Sequence, residues 1–176
     1  MDVSEIIHPD FSRMIQSKED KEDLLEYAKN PKGFLLLAGS YGSGKSYAAE
    51  AIYNMQTHYR LPDKDPEKAI FTTQSALYFE WLEDPKTAHV AIEKYRETKF
   101  LVIDDLGFTQ PTESFLDFLY GIIDSRWRKR YEQGTVVTTN RNASEIKKIL
   151  GAALLSRISS GILKRWEHAD RREIRF

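Results

Sequence analysis

The sequence contains no cysteine, which excludes zinc ribbons, thiolate-ligated iron–sulfur clusters and thiol nucleophiles. No run of about 18 consecutive apolar residues occurs, so no membrane span is predicted. The first twenty residues, MDVSEIIHPDFSRMIQSKED, are acidic and polar, where a secretory signal is basic and then apolar. These absences together fit a soluble protein of the reducing cytoplasm. Net charge is also lacking: 26 basic side chains face 27 acidic ones for a balance of −1, which argues against a surface given over wholly to nucleic acid. His8, His58, His89 and His168 show no metal-ligand spacing. What is present is apolar mass. Of 176 residues 41% are hydrophobic, including 3 Trp, 9 Tyr and 9 Phe, enough for one domain to bury roughly 70% of its unfolded surface without a disulfide or metal.

The balanced charge is unevenly spread. Residues 1–31 hold eight acids against four bases, whereas residues 141–176 hold nine bases against four acids. Solvated faces explain such asymmetry, and so does a basic end that meets a polyanion. Ser17 and Asp20 read as the cap and acidic first turn of a helix that carries Leu24, Leu25 and Ala28 on one face and stops at Asn30 and Pro31. Four short apolar runs follow, at 33–38, 69–73, 100–103 and 135–139, with a weaker one at 162–166. Each is too short for a helix and suits a strand buried on both faces. Helix-period stretches at 46–59, 76–82, 87–96, 114–129 and 143–155, the last broken at Gly151, alternate with them. That alternation predicts an α/β fold with a five-stranded parallel sheet and helices on both faces. Residues 60–68 read as a surface loop, residues 1–31 as an acidic helical segment, and residues 32–176 as the core.

One motif has an explicit mechanism. Gly39-Ser40-Tyr41-Gly42-Ser43-Gly44-Lys45-Ser46 matches the phosphate-loop pattern G-x-x-x-x-G-K-[ST] and lies between a buried strand and a helix, as that pattern requires. A polyphosphate needs several backbone N–H groups converging on its oxygens, and a glycine-rich turn lets the chain approach that closely. Lys45 is placed to reach the β- and γ-phosphates of ATP and Ser46 to ligate Mg²⁺, with Tyr47 next to them in the first helical turn. Downstream, the strand at 100–103 ends in Asp104 and Asp105. A carboxylate there suits Mg²⁺ held through water, and the next one is positioned to orient an attacking water. Their distance from the phosphate loop leaves room for one additional strand, which points away from simple nucleotide kinases. Asn140 follows the strand at 135–139 and offers an amide able to sense the γ-phosphate.

GSYGSGKS, LVIDDLG, the helix ending in IIDSRW, TTN and LLSRI occur in this order. Together they resemble the DnaC/DnaI-type replicative helicase loaders and the related IstB transposition helper ATPases of the AAA+ superfamily, over roughly residues 30–176. The resemblance implies an additional-strand P-loop NTPase that binds ATP and Mg²⁺ and hydrolyses ATP slowly. Lys45, Asp104, Asp105 and Asn140 would form its catalytic set. It further implies that Arg157 acts as an arginine finger on a neighbouring copy's γ-phosphate, where a fixed guanidinium offsets developing charge. Arg157 as an ordinary surface arginine stays open. Arg126 matches the family's arginine in the helix before the Asn140 strand. The implied partners are a replicative helicase or a related replication or transposition protein, single-stranded DNA, and further copies of this chain. Only 19 residues follow Arg157, too few for the helical lid of most AAA+ proteins, so Arg171 and Arg172 are weak substitutes for a lid arginine. The acidic first helix reads as a partner-docking element or, preferably, as a cover over the sheet edge.

The stretch Arg126, Trp127, Arg128, Lys129, Arg130, Tyr131 interleaves cations with aromatics, a composition that contacts phosphates and stacks bases. A helix end whose Trp127 packs in the core explains it equally well. Tyr78-Phe79-Glu80-Trp81 is read as core packing from its helical spacing. Two other functions remain in view: an adaptor that keeps nucleotide as a structural ligand, and a small-molecule kinase, which Asn140 and the lack of an arginine-rich lid disfavour.

Overall fold

Five runs of apolar and β-branched residues pair into one parallel sheet in the spatial order Ala69–Thr73, Phe100–Asp104, Gly134–Thr139, Gly33–Gly39 and Ile162–Trp166. The computed structural model describes residues 11, 14, 16–57, 69–83 and 88–167. The strands are β1 (Gly33–Gly39), β2 (Ala69–Thr73), β3 (Phe100–Asp104), β4 (Gly134–Thr139) and β5 (Ile162–Trp166). Helices α1 (Lys18–Lys29), α2 (Lys45–Thr57), α3 (Gln74–Glu83), α4 (Ala88–Glu97), α5 (Glu113–Arg128), α6 (Ala143–Leu150) and α7 (Ala152–Ile158) connect and cover them. The loop expected at 60–68, together with His8, His58, His168, Arg171 and Arg172, lies outside the described residues, as does the side chain of His89.

Alternation along each strand divides the core in two. Leu35, Leu37, Val102 and Val136 face α1 and α2, where Leu24, Tyr27, Ala28 and Ile52 fill one cluster. Leu36, Leu101, Ile103 and Val137 face the other way, against Phe115, Leu119, Ile122, Ile146 and Ile158. Both faces of the central strands are dry, which is why they read as continuous apolar runs rather than alternating ones.

Helix ends follow their local chemistry. Ser17 Oγ accepts from the Asp20 amide at 3.1 Å, and Asn142 with Glu145 forms a capping box at the start of α6. Gly151, at φ 86°, separates α6 from α7. Helix α3 begins two residues earlier than its apolar period suggests, because Thr73 Oγ1 accepts from the Ala76 amide at 3.0 Å and lets Gln74 open the first turn. Tyr78 and Trp81 on that helix pack against Phe115, but Phe79 is 64% exposed, so the expected core packing holds for only part of the segment.

The acidic α1 is anchored at an edge of the sheet. Lys164 on β5 pairs with Asp20 at 2.9 Å and with Asp23 at 2.5 Å, and Trp166 Nε1 donates to Asp20 at 3.0 Å. Burial works against the Asp20 carboxylate, but Lys164 and Trp166 hold its pKa below the ordinary value. Asp23 and Asp20 raise that of Lys164. Among the described residues no helix is long and apolar enough to cross a membrane.

Candidate nucleotide site

The strand order places β4 between β1 and β3, so the loops after these three strands converge at the carboxyl edge of the sheet, where ligands of open parallel sheets bind. Residues 40–44 form the turn from β1 into α2. Gly42 and Gly44 take φ 71° and 87°, the left-handed region that glycine enters without strain. Gly39 passes so close to β5 that a Cβ would lie 1.9 Å from the Trp166 carbonyl oxygen. The next amide, Ser40 N–H, donates to that same oxygen at 3.1 Å. The loop is held from behind by Gln16, whose Nε2 donates to the Ser43 carbonyl at 2.7 Å.

Lys45 is buried to 4% exposure, and its Nζ donates to the Ser40 carbonyl at 2.6 Å and to Ser43 Oγ at 3.1 Å. The ammonium is thus folded over the turn that phosphate oxygens would enter. Ser46 and Tyr47 at the start of α2 are exposed, as is Tyr41 on the loop.

Asp104 ends β3 at 8% exposure and accepts from Thr138 Oγ1 at 2.5 Å through Oδ1. The same hydroxyl accepts from the Asp105 amide at 2.9 Å. Asp105 adopts φ 54°, and its Oδ1 accepts from Asn140 Nδ2 at 2.9 Å. Asp104, Asp105 and Asn140 are therefore brought together, and Thr138 ties the Asp104 carboxylate and the Asp105 backbone amide to β4. Asp104 and Ser46 offer the hard oxygen donors that suit Mg²⁺.

Sequence reasoning missed several supports of this arrangement. Thr138 reads as a strand residue, Gln74 falls between the strand at 69–73 and the helix at 76–82, and Arg141 reads as one of the cations of the basic end. Gln74 and Arg141 instead grip the turn after Asp105: Gln74 Oε1 accepts from the Gly107 amide at 2.7 Å, and Arg141 Nε donates to the Gly107 carbonyl at 3.2 Å. A cavity of about 770 Å³ is lined by residues of β1, β5 and the α6–α7 pair, among them Leu36, Leu155 and Leu163, and also by Ser40 and Asn140.

The basic stretch divides. Arg126 was expected among nucleic-acid contacts, but it is 0% exposed and cannot touch a phosphate backbone. Its guanidinium donates to Thr135 Oγ1 at 2.8 Å and to the carbonyls of Tyr95, Thr98 and Gly134 at 2.9, 2.8 and 2.7 Å. Burial pushes its pKa down to about 9, and the acceptors around it keep the charge satisfied at neutral pH. Arg128 pairs with Asp124 at 2.9 Å and Lys129 with Glu97 at 2.5 Å. Arg130 lies over the rings of Trp127 and Tyr131 at 4.4 and 4.5 Å, and Tyr131 is 72% exposed. Trp127 itself packs partly against the core. Arg157, on α7, lies against α5, paired with Asp124.

Solved structures share this architecture. Domain III of the Thermotoga maritima replication initiation protein DnaA superposes with a TM-score of 0.73 at 20% identity, covering 89% of this chain and 66% of that one. The DnaC helicase loader superposes with a TM-score of 0.70 at 19% identity, covering 88% and 91%. The chain shares the fold of these proteins, a five-stranded parallel sheet covered by helices. A replication initiator DnaA bound to AMPPCP and single-stranded DNA gives 0.73 at 18% identity, covering 90% of this chain and 50% of that one. The chain spans about half the length of this DnaA and of the one from Aquifex aeolicus. No protein-family model matches it.

Proposed function

We propose that this chain is an ATP-dependent AAA+ switch of DNA replication, similar to the DnaC-type loaders, that couples nucleotide state to a helicase or related partner and to single-stranded DNA. The observation that carries this reading is the convergence of the Lys45 loop, Asp104, Asp105 and Asn140 on one sheet edge, with Asn140 Nδ2 2.9 Å from the Asp105 carboxylate. In this reading Gly39 to Tyr47 hold ATP, the loop amides and Lys45 offset phosphate charge, and Ser46 and Asp104 hold Mg²⁺. When bound, Mg²⁺ supplies charge neutralisation at the phosphate oxygens. Asp105 orients water, Asn140 senses the γ-phosphate, and Arg157 serves a neighbouring copy. Arg128, Lys129 and Arg130 are the cations left for nucleic acid once Arg126 is withdrawn.

A second reading, an adaptor with negligible turnover, draws on the same contacts, since Asp105 is held by Asn140 and Arg157 by Asp124. ATP hydrolysis measured across a range of protein concentrations separates the two. Lys45→Ala abolishes nucleotide-dependent behaviour in both readings, whereas Asp105→Asn changes it only where hydrolysis matters. Turnover that is brisk and independent of concentration argues against Arg157 acting between copies. Capture of partners with ATP or ADP present decides the branch: a replicative helicase supports a loader, a transposase supports an IstB-like helper.

A further inference from the structure

The turn that carries Asp105 is strained and is gripped from two sides. Asp105 at φ 54° is the one non-glycine residue with positive φ among the described residues, and Gly107 follows at φ 84°. Such a conformation is strained for a non-glycine residue and persists where neighbours impose it. From β4 the grip comes from Thr138 on the Asp105 amide, Thr139 Oγ1 on the Leu106 carbonyl at 2.7 Å, and Arg141 on the Gly107 carbonyl.

From the opposite side it comes from Gln74. The β2–β3 register pairs Thr73 with Asp104, so Gln74, the next residue, stands at the strand end beside the turn. Its side chain is 1% exposed. Oε1 accepts from the Gly107 amide at 2.7 Å, and Nε2 donates to the Thr109 carbonyl at 2.9 Å and to Thr109 Oγ1 at 3.1 Å. A buried amide with both ends satisfied fixes what it touches, because releasing either end leaves a polar group unpaired. The turn has little room to drift towards α6, where a Cβ on Gly107 would already lie 2.7 Å from Ile146 Cδ1.

We propose that Gln74 is a positioning residue for hydrolysis, locking the Gly107 peptide so that Asp105 keeps the left-handed turn in which its carboxylate meets Asn140. This rests on the reading of Asp105 as the water-orienting group. Among the described residues the Gln74 side chain hydrogen-bonds to Gly107 and Thr109 and not to the nucleotide loop or the metal donors, so it acts on turnover and not on nucleotide binding. Glutamate at this place retains the acceptor for Gly107 and loses the donor towards Thr109, and leucine loses both.

The test compares Gln74→Leu and Gln74→Glu with the unaltered chain in kcat, KM for ATP, affinity for a fluorescent ATP analogue, and thermal midpoint. Expected is a fall in kcat of about tenfold or more for Gln74→Leu and a smaller fall for Gln74→Glu, with KM and analogue affinity within about twofold. If the leucine variant does not fold, Gln74→Glu carries the test. A folded variant with unchanged kcat overturns the inference, and so does a loss of analogue affinity that parallels the loss of turnover. A wild-type chain that binds ATP without hydrolysing it overturns the proposed hydrolytic function first, and the role of Gln74 with it.

Discussion

Arg157 on α7 lies against the carboxylate of Asp124 on α5, with Nη2 at 2.6 Å and Nε at 2.7 Å from Oδ1. Its guanidinium also covers the rings of Tyr120 at 4.8 Å and Trp127 at 5.5 Å. Arg128 lowers the pKa of Asp124 most, burial opposes it, and Arg157 lowers it further. To serve a neighbouring copy's nucleotide, Arg157 must leave this carboxylate. Asp124→Ala is therefore expected to raise concentration-dependent ATP turnover about two- to fivefold, while Arg157→Ala removes the concentration dependence. Turnover measured from dilute to concentrated protein checks this. A fall in the Asp124 variant matching that of Arg157→Ala assigns Asp124 to presenting the arginine instead of restraining it.

Arg126 separates a structural cation from a ligand-binding one. Arg126→Met leaves the carbonyls of Tyr95, Thr98 and Gly134 without their buried donor, and an unsatisfied buried group costs about 1–3 kcal/mol. A loss of about 3 kcal/mol or more is expected by urea denaturation. Arg130→Ala should leave the denaturation midpoint nearly unchanged and weaken single-stranded DNA binding. DNA affinity of the folded Arg126 variant within about twofold of wild type is the expected companion result. A stable Arg126→Met that has lost DNA binding reverses the assignment.

These cases mark where sequence is legible. The phosphate loop, the Asp104–Asp105 pair and Asn140 are each contiguous with a strand end, so local pattern and parallel-sheet topology suffice to gather them. The five strands and the break at Gly151 are equally local. Arg126 is different, because its acceptors lie 8, 9, 28 and 31 residues away. An arginine at a helix end looks the same in sequence whether it points outward or under the sheet. Gln74 and Thr138 escape notice for the same reason, since Gln74 meets Gly107 across 33 residues and Thr138 meets Asp104 across 34. Phe79 fails in the other direction, because an aromatic at helical spacing reads as core when its helix lies at the margin of the sheet.

Thr138 carries the next expectation. Its hydroxyl donates to Asp104 and accepts from the Asp105 amide, so it orients the Asp104 carboxylate and fixes the Asp105 backbone without belonging to the donor set. Thr138→Val keeps shape and removes both bonds. Loss of an outer-shell partner of this kind lowers metal affinity or activity by about 10- to 100-fold. The expected result is a rightward shift in the Mg²⁺ dependence of ATP hydrolysis, with circular dichroism unchanged. An unaltered Mg²⁺ titration assigns Thr138 to packing alone.

The anchoring of α1 should depend on pH at both ends of the scale. Lys164 is raised by Asp23 and Asp20 against a burial penalty, so its contribution is whole below the unfolded lysine value of about 10.4 and is lost as pH climbs through the higher folded value. Asp20 is lowered despite burial, so its contribution is whole above the unfolded value of about 3.9 and is lost as pH falls through the lower folded one. Lys164→Met is expected to cost about 1 kcal/mol, because the cluster is partly solvated and screened. Urea midpoints of wild type and variant should differ across roughly pH 4 to 10 and converge outside that window. A difference that persists unchanged at pH 2.5 traces the loss to packing of the lysine stem beside Trp166 rather than to its charge.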